Sequence, residues 1–399
     1  NISRRRKLSS NYYLITVSGP DQPGITSKLM QILTLNEGRL IDMGQSVTHG
    51  LLSLSFMIDA GENSKSKDIL KELLFAANQL NQKMDYKKID DLSYEGSDSE
   101  KFILNCVSTQ DLSAEFIYDI SKCLSDYEVN IHRIDKVAPK SFTSLEMMTS
   151  VPRGIDWYKI KEDLLKISNR HTVDVAFLKD NVFRRSKRLI VFDMDSTLIQ
   201  TEVIDEMAGV LGVKDEVKEI TELAMNGEID FNQSLKKRVS KLKGLKVSQM
   251  KEIFDHLELT PGAKDFIKTV KALGYKVALI SGGFSFFSEG LKEKLDLDYA
   301  FANELELAGD ELTGRIEGTI VNAEQKAILL KLISQQEKIS LEQAVAIGDG
   351  ANDLPMLQTA GLGIAFHAKE IVKREANQHM SHGPMTSILY FLGIPGPQN

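Results

Sequence analysis

The stretch Leu189-Ile-Val-Phe-Asp193-Met-Asp195-Ser-Thr197-Leu-Ile199 decides the fold of this chain, because four apolar residues end abruptly at two acids spaced by one residue. A short apolar run bounded by polar residues is typical of a strand buried on both faces, as in a parallel sheet. Open α/β sheets hold their ligands at the carboxyl ends of such strands. We therefore expect Asp193 and Asp195 to lie at the ligand-binding edge of a parallel sheet.

The two acids can divide the work of a reaction between them. Strand residues spaced by one point the same way, and the bend at a strand end lets their side chains separate. One carboxylate can then attack a substrate while the other moves a proton. An isolated Asp-x-Asp is also common in solvated turns, so the choice between a catalytic pair and a turn depends on the rest of the chain.

Three later segments could belong to the same site. Lys276-Val-Ala-Leu-Ile280 predicts a buried strand that leads into Ser281-Gly282-Gly283, whose hydroxyl and backbone N–H groups suit a phosphate oxygen. Lys326 lies near the start of a helix with apolar periodicity. A third buried strand runs into Gly348-Asp349-Gly350-Ala351-Asn352-Asp353. Each segment alone is typical of a tight turn or a solvated lysine, but their order along the chain predicts one phosphate-binding site.

These four segments resemble the motifs of the haloacid dehalogenase superfamily of phosphotransferases. The matching features are the DxDxT of 193–197, Ser281, Lys326 and the GDxxxD of 348–353. The resemblance covers roughly residues 186–395 and implies an α/β fold, with a doubly wound, mostly parallel, Rossmann-like sheet. It also implies that the mainly helical insertion at about 203–260 is a cap over the active site.

The resemblance implies a role for each motif residue in a two-step phosphomonoester hydrolysis. Asp193 is the expected nucleophile, Asp195 the general acid and base, and Mg²⁺ the cofactor. The expected metal ligands are Asp193, the backbone carbonyl of Asp195, and Asp349, with Asp353 supporting the metal site. The expected contacts to the phosphoryl group and the rest of the substrate are Ser281, Gly282, Lys326 and Asn352.

The fuller text DMDSTLIQTEVID, LISGGF and IGDGANDLPML is similar to members of the superfamily that hydrolyse phosphoserine at the end of serine biosynthesis. This similarity implies that Glu202 pairs with the substrate ammonium and Arg238 with its carboxylate. Without it, Arg238 is only the last of three consecutive basic residues on a helix. Two alternatives stay open: a phosphatase for another small phosphorylated amino acid or amino alcohol, and an amino-acid sensor whose phosphatase domain is idle.

Two repeated units precede this domain. Residues 11–90 and 102–180 each have a βαββαβ pattern and resemble ACT domains, with a polar linker at 91–101. The first has the family's D-x-P-G at Asp21-Gln-Pro-Gly24, whereas the second has neither proline nor glycine at the corresponding position. The resemblance implies serine or another amino acid as effector, and a homodimer. A purely architectural or dimerising role is the alternative.

Composition limits the remaining possibilities. The chain has 399 residues, 42% of them hydrophobic, which is enough for two or three domains. A net charge of -7 argues against a general nucleic-acid or membrane-surface binder. The two cysteines, Cys106 and Cys123, do not have metal-ligand spacing, and no apolar stretch approaches about 18 residues. These observations predict a cytoplasmic protein.

Overall fold

The structure is a computed structural model that describes residues 11–61, 63–89, 99–138, 143–183, 186–225 and 228–394, without the side chains of 63–66 and 225. The chain divides into two compact units, Asn1–Ser97 and Asp98–Asn399. Most of the predicted linker lies outside the described residues, as do two short runs of arginine, Arg4–Arg6 and Arg184–Arg185.

The first unit is an antiparallel sheet with two helices on one face. Its elements are β1 (Tyr12–Pro20), α1 (Ile25–Leu35), β2 (Arg39–Thr48), β3 (Leu51–Asp59), α2 (Asn63–Gln79) and β4 (Lys83–Ile89). The strand order is β2-β3-β1-β4. Alternate apolar residues of β3 are buried in a core with the helices, which is the period-two pattern of a half-buried strand. The edge strand β2 is exposed along almost its whole length.

The second unit begins with a module of the same topology. Its elements are β5 (Ser99–Val107), α3 (Ala114–Asp126), β6 (Asn130–Lys136), β7 (Ser144–Pro152), α4 (Trp157–His171) and β8 (Asp174–Lys179), and the strand order is β6-β7-β5-β8. Strand β5 begins within the predicted linker, because residues 99–101 pair with β7. Such polar residues at a strand end carry no apolar signal in the sequence.

The C-terminal domain is built on a seven-stranded sheet of order β12-β11-β10-β9-β13-β14-β15. Neighbouring strands are parallel except in the hairpin of β11 and β12. Its strands are β9 (Leu189–Phe192), β10 (Lys276–Phe284), β11 (Tyr299–Ala308), β12 (Glu311–Glu317), β13 (Ala344–Gly348), β14 (Leu362–Phe366) and β15 (Gln378–Met380). The fold is therefore the predicted α/β class, and β15 is a strand that the sequence pattern did not reveal.

Helices surround this sheet and also form the insertion after β9. The insertion contains α5 (Val203–Val210), α6 (Lys214–Met225), α7 (Phe231–Ser240) and α8 (Val247–His256). The remaining helices are α9 (Ala263–Ala272), α10 (Ser285–Leu295), α11 (Ala323–Gln336), α12 (Leu354–Thr359), α13 (Glu370–Glu375) and α14 (Ile388–Phe391). Backbone hydrogen bonds from Gly244 to Leu312 and from Leu312 to Leu245 join the insertion to the β11–β12 hairpin.

The second module is attached to the far edge of the C-terminal sheet by buried polar contacts. The fully buried Asp174 carboxylate accepts hydrogen bonds from the backbone N–H groups of Ser381, His382 and Gly383. The Gln378 side chain accepts from the Phe177 N–H and donates to the Phe177 carbonyl. Because these groups bond backbone atoms of the opposite domain, they join the module to the C-terminal domain.

Within the described residues, no helix combines the length and the apolar character needed to cross a bilayer.

Candidate active site

Asp193 extends the central strand β9 by one residue. All four residues of β9 are buried between β10 and β13, and the Asp193 N–H donates to the Ile347 carbonyl at 2.9 Å. Asp193 is 5% exposed at the carboxyl edge of the sheet. This is the position that the apolar run predicted for Asp193. A buried carboxylate at this edge can bind and attack a substrate.

The chain turns sharply after Asp193. The Ile199 N–H bonds the Met194 carbonyl, and Ser196 inside the turn has a left-handed φ of 56°. The turn directs the Asp195 carboxylate to the start of α5, where it accepts from the Val203 N–H at 3.0 Å. Burial, together with the nearby Glu202, raises the pKa of Asp195 to about 7. A carboxyl group with such a pKa is suited to give and take a proton near neutral pH.

Lys326 lies between two carboxylates of the site. Its ammonium is 2.7 Å from Asp193 Oδ1 and 2.6 Å from Asp353 Oδ1, and the side chain is 1% exposed. Burial alone would lower the pKa of Lys326, but the two carboxylates raise it above its usual value. The lysine is therefore a fixed positive charge beside the expected nucleophile, within reach of a phosphoryl group held there.

Ser281-Gly282-Gly283 lies near the carboxyl end of β10, next to the turn after β9. Ser281 is fully buried, and its Oγ accepts from the Gly283 N–H at 2.8 Å. A Cβ atom on Gly283 would lie 2.7 Å from Asp195 Oδ2. Because no side chain could fit in that space, Gly283 lets this part of β10 approach the turn after β9.

The loop after β13 contributes two acids. Asp349 accepts from the Thr197 hydroxyl at 3.1 Å, and burial and the neighbouring Asp353 raise the pKa of Asp349 to about 6. Asp353 is fully buried and accepts from the Gly350 N–H. Asn352 is half-buried, with its side chain folded close to Gly350.

Carboxylate oxygens of Asp193, Asp349 and Asp353 lie within 4.8 Å of one another. A cluster of carboxylate oxygens is the donor set that a hard divalent cation such as Mg²⁺ prefers. Asp353 was expected only to support this site, but its carboxylate lies among the three acids of the cluster. Asp195 is outside this cluster, and its Oδ1 accepts from the Val203 N–H of α5. The contact that the family resemblance implies for Asp195 is its backbone carbonyl.

The two residues expected to recognise the substrate lie in and beside the helical insertion. Arg238 is half-buried while Lys236 and Lys237 before it are exposed, and its Nε is buried without a hydrogen-bond partner in the described part of the chain. Burial lowers the pKa of Arg238, and the negative charge that opposes this shift most is Glu202. Glu202 is exposed and accepts from the Ser196 hydroxyl at 2.8 Å. Arg238 therefore differs from the two lysines before it, because one of its guanidinium nitrogens is buried and has no partner among the described residues.

Two supporting residues escaped the sequence patterns. Thr260 donates from its hydroxyl to the Thr197 carbonyl at 2.7 Å and bonds the Leu198 carbonyl through its N–H, which holds the turn after β9. Asn303 is fully buried in β11 and donates to the carbonyl of Gly282. Asparagine is disfavoured inside strands, so its position within an otherwise strand-like run was a signal that could have been used.

Models of known protein families match each of the three parts of the chain. A haloacid dehalogenase-like hydrolase family matches residues 187–361, and two ACT-domain families match residues 11–87 and 106–178. The resemblance inferred from the motifs is therefore confirmed for all three parts of the chain.

Two curated relatives match the chain over almost its whole length. The chain is 37% identical to phosphoserine phosphatase SerB2 of Mycobacterium tuberculosis, over 96% of this chain and 93% of the relative. It is also 37% identical to a phosphoserine phosphatase of Streptomyces coelicolor, over 96% and 92% of the two chains. A crystal structure of a probable phosphoserine phosphatase from Vibrio cholerae has a TM-score of 0.60 and 35% identity, over 76% of this chain and 89% of that one. The chain therefore belongs to the phosphoserine phosphatase family of haloacid dehalogenase-like hydrolases, with two N-terminal ACT domains.

Proposed function

We propose that this chain hydrolyses O-phospho-L-serine to L-serine and phosphate through an aspartyl-phosphate on Asp193. The observation that carries the proposal is the Lys326 ammonium bonded to Asp193 and Asp353, beside the phosphate-type loop Ser281–Gly283. That arrangement sets a nucleophile next to positive charge and hydrogen-bond donors, which is what phosphoryl transfer requires. The full-length relatives support phosphoserine as the substrate.

In the first step, an oxygen of Asp193 forms a bond to phosphorus while the bond from phosphorus to the serine oxygen breaks. Asp195 donates its proton to the departing oxygen, for which its raised pKa is suited. Lys326, Ser281 and the Gly282 N–H bind the phosphoryl oxygens, on which negative charge lies in the transition state. Asn352 is the expected further contact to the substrate.

In the second step, Asp195 takes a proton from water, and the oxygen of that water attacks phosphorus. The bond between phosphorus and Asp193 breaks, which frees phosphate and restores the carboxylate. Bound Mg²⁺, held by Asp193, the Asp195 carbonyl and Asp349 with Asp353 in support, would supply positive charge that offsets the repulsion between carboxylate and phosphate. The carboxylate cluster described above fits such an ion.

The substrate preference provides a test with a matched control. We expect wild-type protein to prefer phosphoserine to phosphoethanolamine and glycerol phosphate, because only phosphoserine has both charges for Glu202 and Arg238. Losing one charge-assisted pair in a closed site costs about 2 to 5 kcal/mol. Arg238→Ala should therefore lower kcat/KM for phosphoserine by about 30-fold or more, and leave phosphoethanolamine almost unchanged.

The measurement is steady-state phosphate release from the three substrates by wild-type, Arg238→Ala and Lys237→Ala proteins. Lys237 is the control because it is the adjacent basic residue and is exposed. An equal loss for phosphoserine and phosphoethanolamine in the Arg238 variant would show that Arg238 does not bind the substrate carboxylate. Preference of the wild type for a substrate without a carboxylate would favour the amino-alcohol alternative.

We also propose that serine is an effector at the first ACT domain. Gly24, with a φ of 98°, precedes α1, and a cavity of 470 Å³ lies there, lined in part by Ser27 and Lys28. Backbone N–H groups at a helix start favour a carboxylate.

The exposed edge strand β2 supports a homodimer, because an unpaired edge can pair with that of a second copy.

A charge variant tests the effector site in the intact chain. Ser27→Asp puts a negative charge at the start of α1 and should raise the serine concentration for half-inhibition by about 5-fold or more. Ser53→Asp adds the same charge on an exposed strand position that does not line the cavity. Identical, purely competitive inhibition of both variants would contradict the effector site, because serine would then act only as the product.

A further inference from the structure

The loop Ser281–Gly283 leaves the sheet ladder at the point where it must face the substrate. Ile280 pairs with Phe301 and Phe284 pairs with Asn303, so three residues of β10 lie opposite a single residue of β11. This bulge frees the loop's backbone groups for a ligand. It also leaves carbonyl groups pointing into the protein, where each buried acceptor needs a donor.

The side chain of Asn303 provides those donors. Its Nδ2 donates to the carbonyls of Gly282 at 2.7 Å and Gly283 at 3.2 Å. Its Oδ1 accepts from the Val321 N–H at 2.8 Å. Asn303 is fully buried, so both ends of its amide are held by protein backbone. The orientation of this side chain is therefore determined, and so are the backbone groups that it binds.

The contact to Gly282 determines what the Ser281 hydroxyl can do. The carbonyl and N–H of a trans peptide point in opposite directions. With the Gly282 carbonyl held by Asn303, the Gly283 N–H points away from Asn303 and donates to Ser281 Oγ. A serine hydroxyl has one proton to donate. Because the Gly283 N–H takes an acceptor position on Oγ, the Ser281 proton is left for a phosphoryl oxygen.

The contact to Val321 reaches the second phosphoryl ligand. Val321 directly precedes Asn322, whose side chain caps α11 by accepting from the Gln325 N–H at 3.0 Å. Lys326 lies in the first turns of this helix. Asn303 therefore joins the serine loop to the start of the lysine helix through one buried amide.

We propose that Asn303 is a positioning residue that holds the Ser281 hydroxyl and the start of the Lys326 helix toward the same phosphoryl group. The inference rests on the proposed phosphatase function. Neither contact involves the substrate, so the residue acts only through the groups that it orients.

Asn303→Asp is the sharpest single change. The carboxylate keeps the shape and can still accept from Val321, but it replaces the N–H donor with an oxygen facing two carbonyls. We expect kcat/KM for phosphoserine to fall by about 100-fold, mainly through a lower kcat. A loss of about this size is what a small misplacement of the reacting groups causes. Asn303→Ser is the second variant, and it adds no charge. If the aspartate variant does not fold, the fall in kcat/KM is measured on the serine variant instead.

A double-variant cycle separates positioning from general support of the fold. If Asn303 acts through the Ser281 hydroxyl, its substitution should cost much less in a Ser281→Ala background than in wild type. Gln378→Glu is the matched control, because this buried amide also bonds backbone groups at both ends, but at the edge strand β15. We expect Gln378→Glu to lower the thermal unfolding midpoint. Any loss of kcat/KM that it causes should be the same with and without Ser281→Ala, so that the two fold-losses multiply.

The outcomes distinguish the inference from the function on which it rests. A loss in the Asn303 variants that shrinks when Ser281 is removed supports the inference. If Asn303 substitution lowers kcat/KM by the same factor with and without the Ser281 hydroxyl, the inference is wrong. Full activity of a folded Asn303 variant would also contradict it, and either result would leave the phosphatase function intact. Absence of phosphoserine hydrolysis by the wild-type chain with Mg²⁺ would overturn the function itself.

Discussion

Asp193→Asn is expected to abolish phosphoserine hydrolysis, with a loss of at least about 10⁴-fold, because an amide is a poor nucleophile and a weak ligand for a hard cation. The substitution keeps the shape of the side chain. It also removes one of three clustered carboxylates, and burial together with Asp353 already raises the pKa of Asp193 well above its usual value. We therefore expect the variant to fold and to be at least as resistant to heat as the wild type.

The measurement combines phosphate release, thermal unfolding and acid-quench trapping of the covalent intermediate. The trapping uses phosphoserine that carries its label on the phosphoryl group. Wild-type protein should retain label on Asp193, and the variant should not. A folded Asp193→Asn protein with even a tenth of the wild-type rate would show that another group attacks phosphorus.

Lys326→Met is expected to have the second largest effect, on both activity and stability. Removing the ammonium leaves Asp193 and Asp353 without the buried cation that each contacts. Breaking a buried ion pair by deleting one partner costs about 3 to 5 kcal/mol, since a buried charge remains uncompensated. The loss of a preorganised positive charge at the phosphoryl group should also lower kcat by about 10³-fold.

Lys331→Met is the control for this change, because Lys331 lies on the same helix and is exposed. Chemical unfolding and steady-state rates should be measured for both variants at several pH values. Lowering the pH through the raised pKa of Asp193 removes the negative charge that Lys326 compensates there, so the stability difference between the variants should shrink in acid. Equal unfolding midpoints for the two variants at neutral pH would contradict the structural role of the Lys326 ion pairs.

The second ACT domain differs from the first in features that bear on its role. It lacks the D-x-P-G of Asp21–Gly24, and Asp174 and Gln378 form buried hydrogen bonds between it and the C-terminal domain. Such contacts favour the architectural alternative for this copy. Experiments on regulation are therefore better made with point variants in the intact chain than by removing both modules together.

The sequence by itself determined the parts of the fold and site that are local. The buried strand β9 is legible as an apolar run, because a central parallel strand has no solvent face to interrupt it. Helices and strands of both ACT domains follow from the spacing of their apolar residues. The motif residues Asp193, Asp195, Asp349 and Asp353 lie in short segments whose order along the chain already indicated a shared site.

Tertiary structure decided everything that depends on which distant groups meet. Nothing near Lys326 in the sequence indicates that its ammonium contacts Asp193 and Asp353, because 133 and 27 residues separate them. The inward turn of Arg238 beside outward lysines depends on how α7 packs against its neighbours. Asn303 shows its role only when the bulge in β10 brings two carbonyls to it. Such contacts depend on side-chain direction and long-range packing, and the periodicity of a sequence does not contain either.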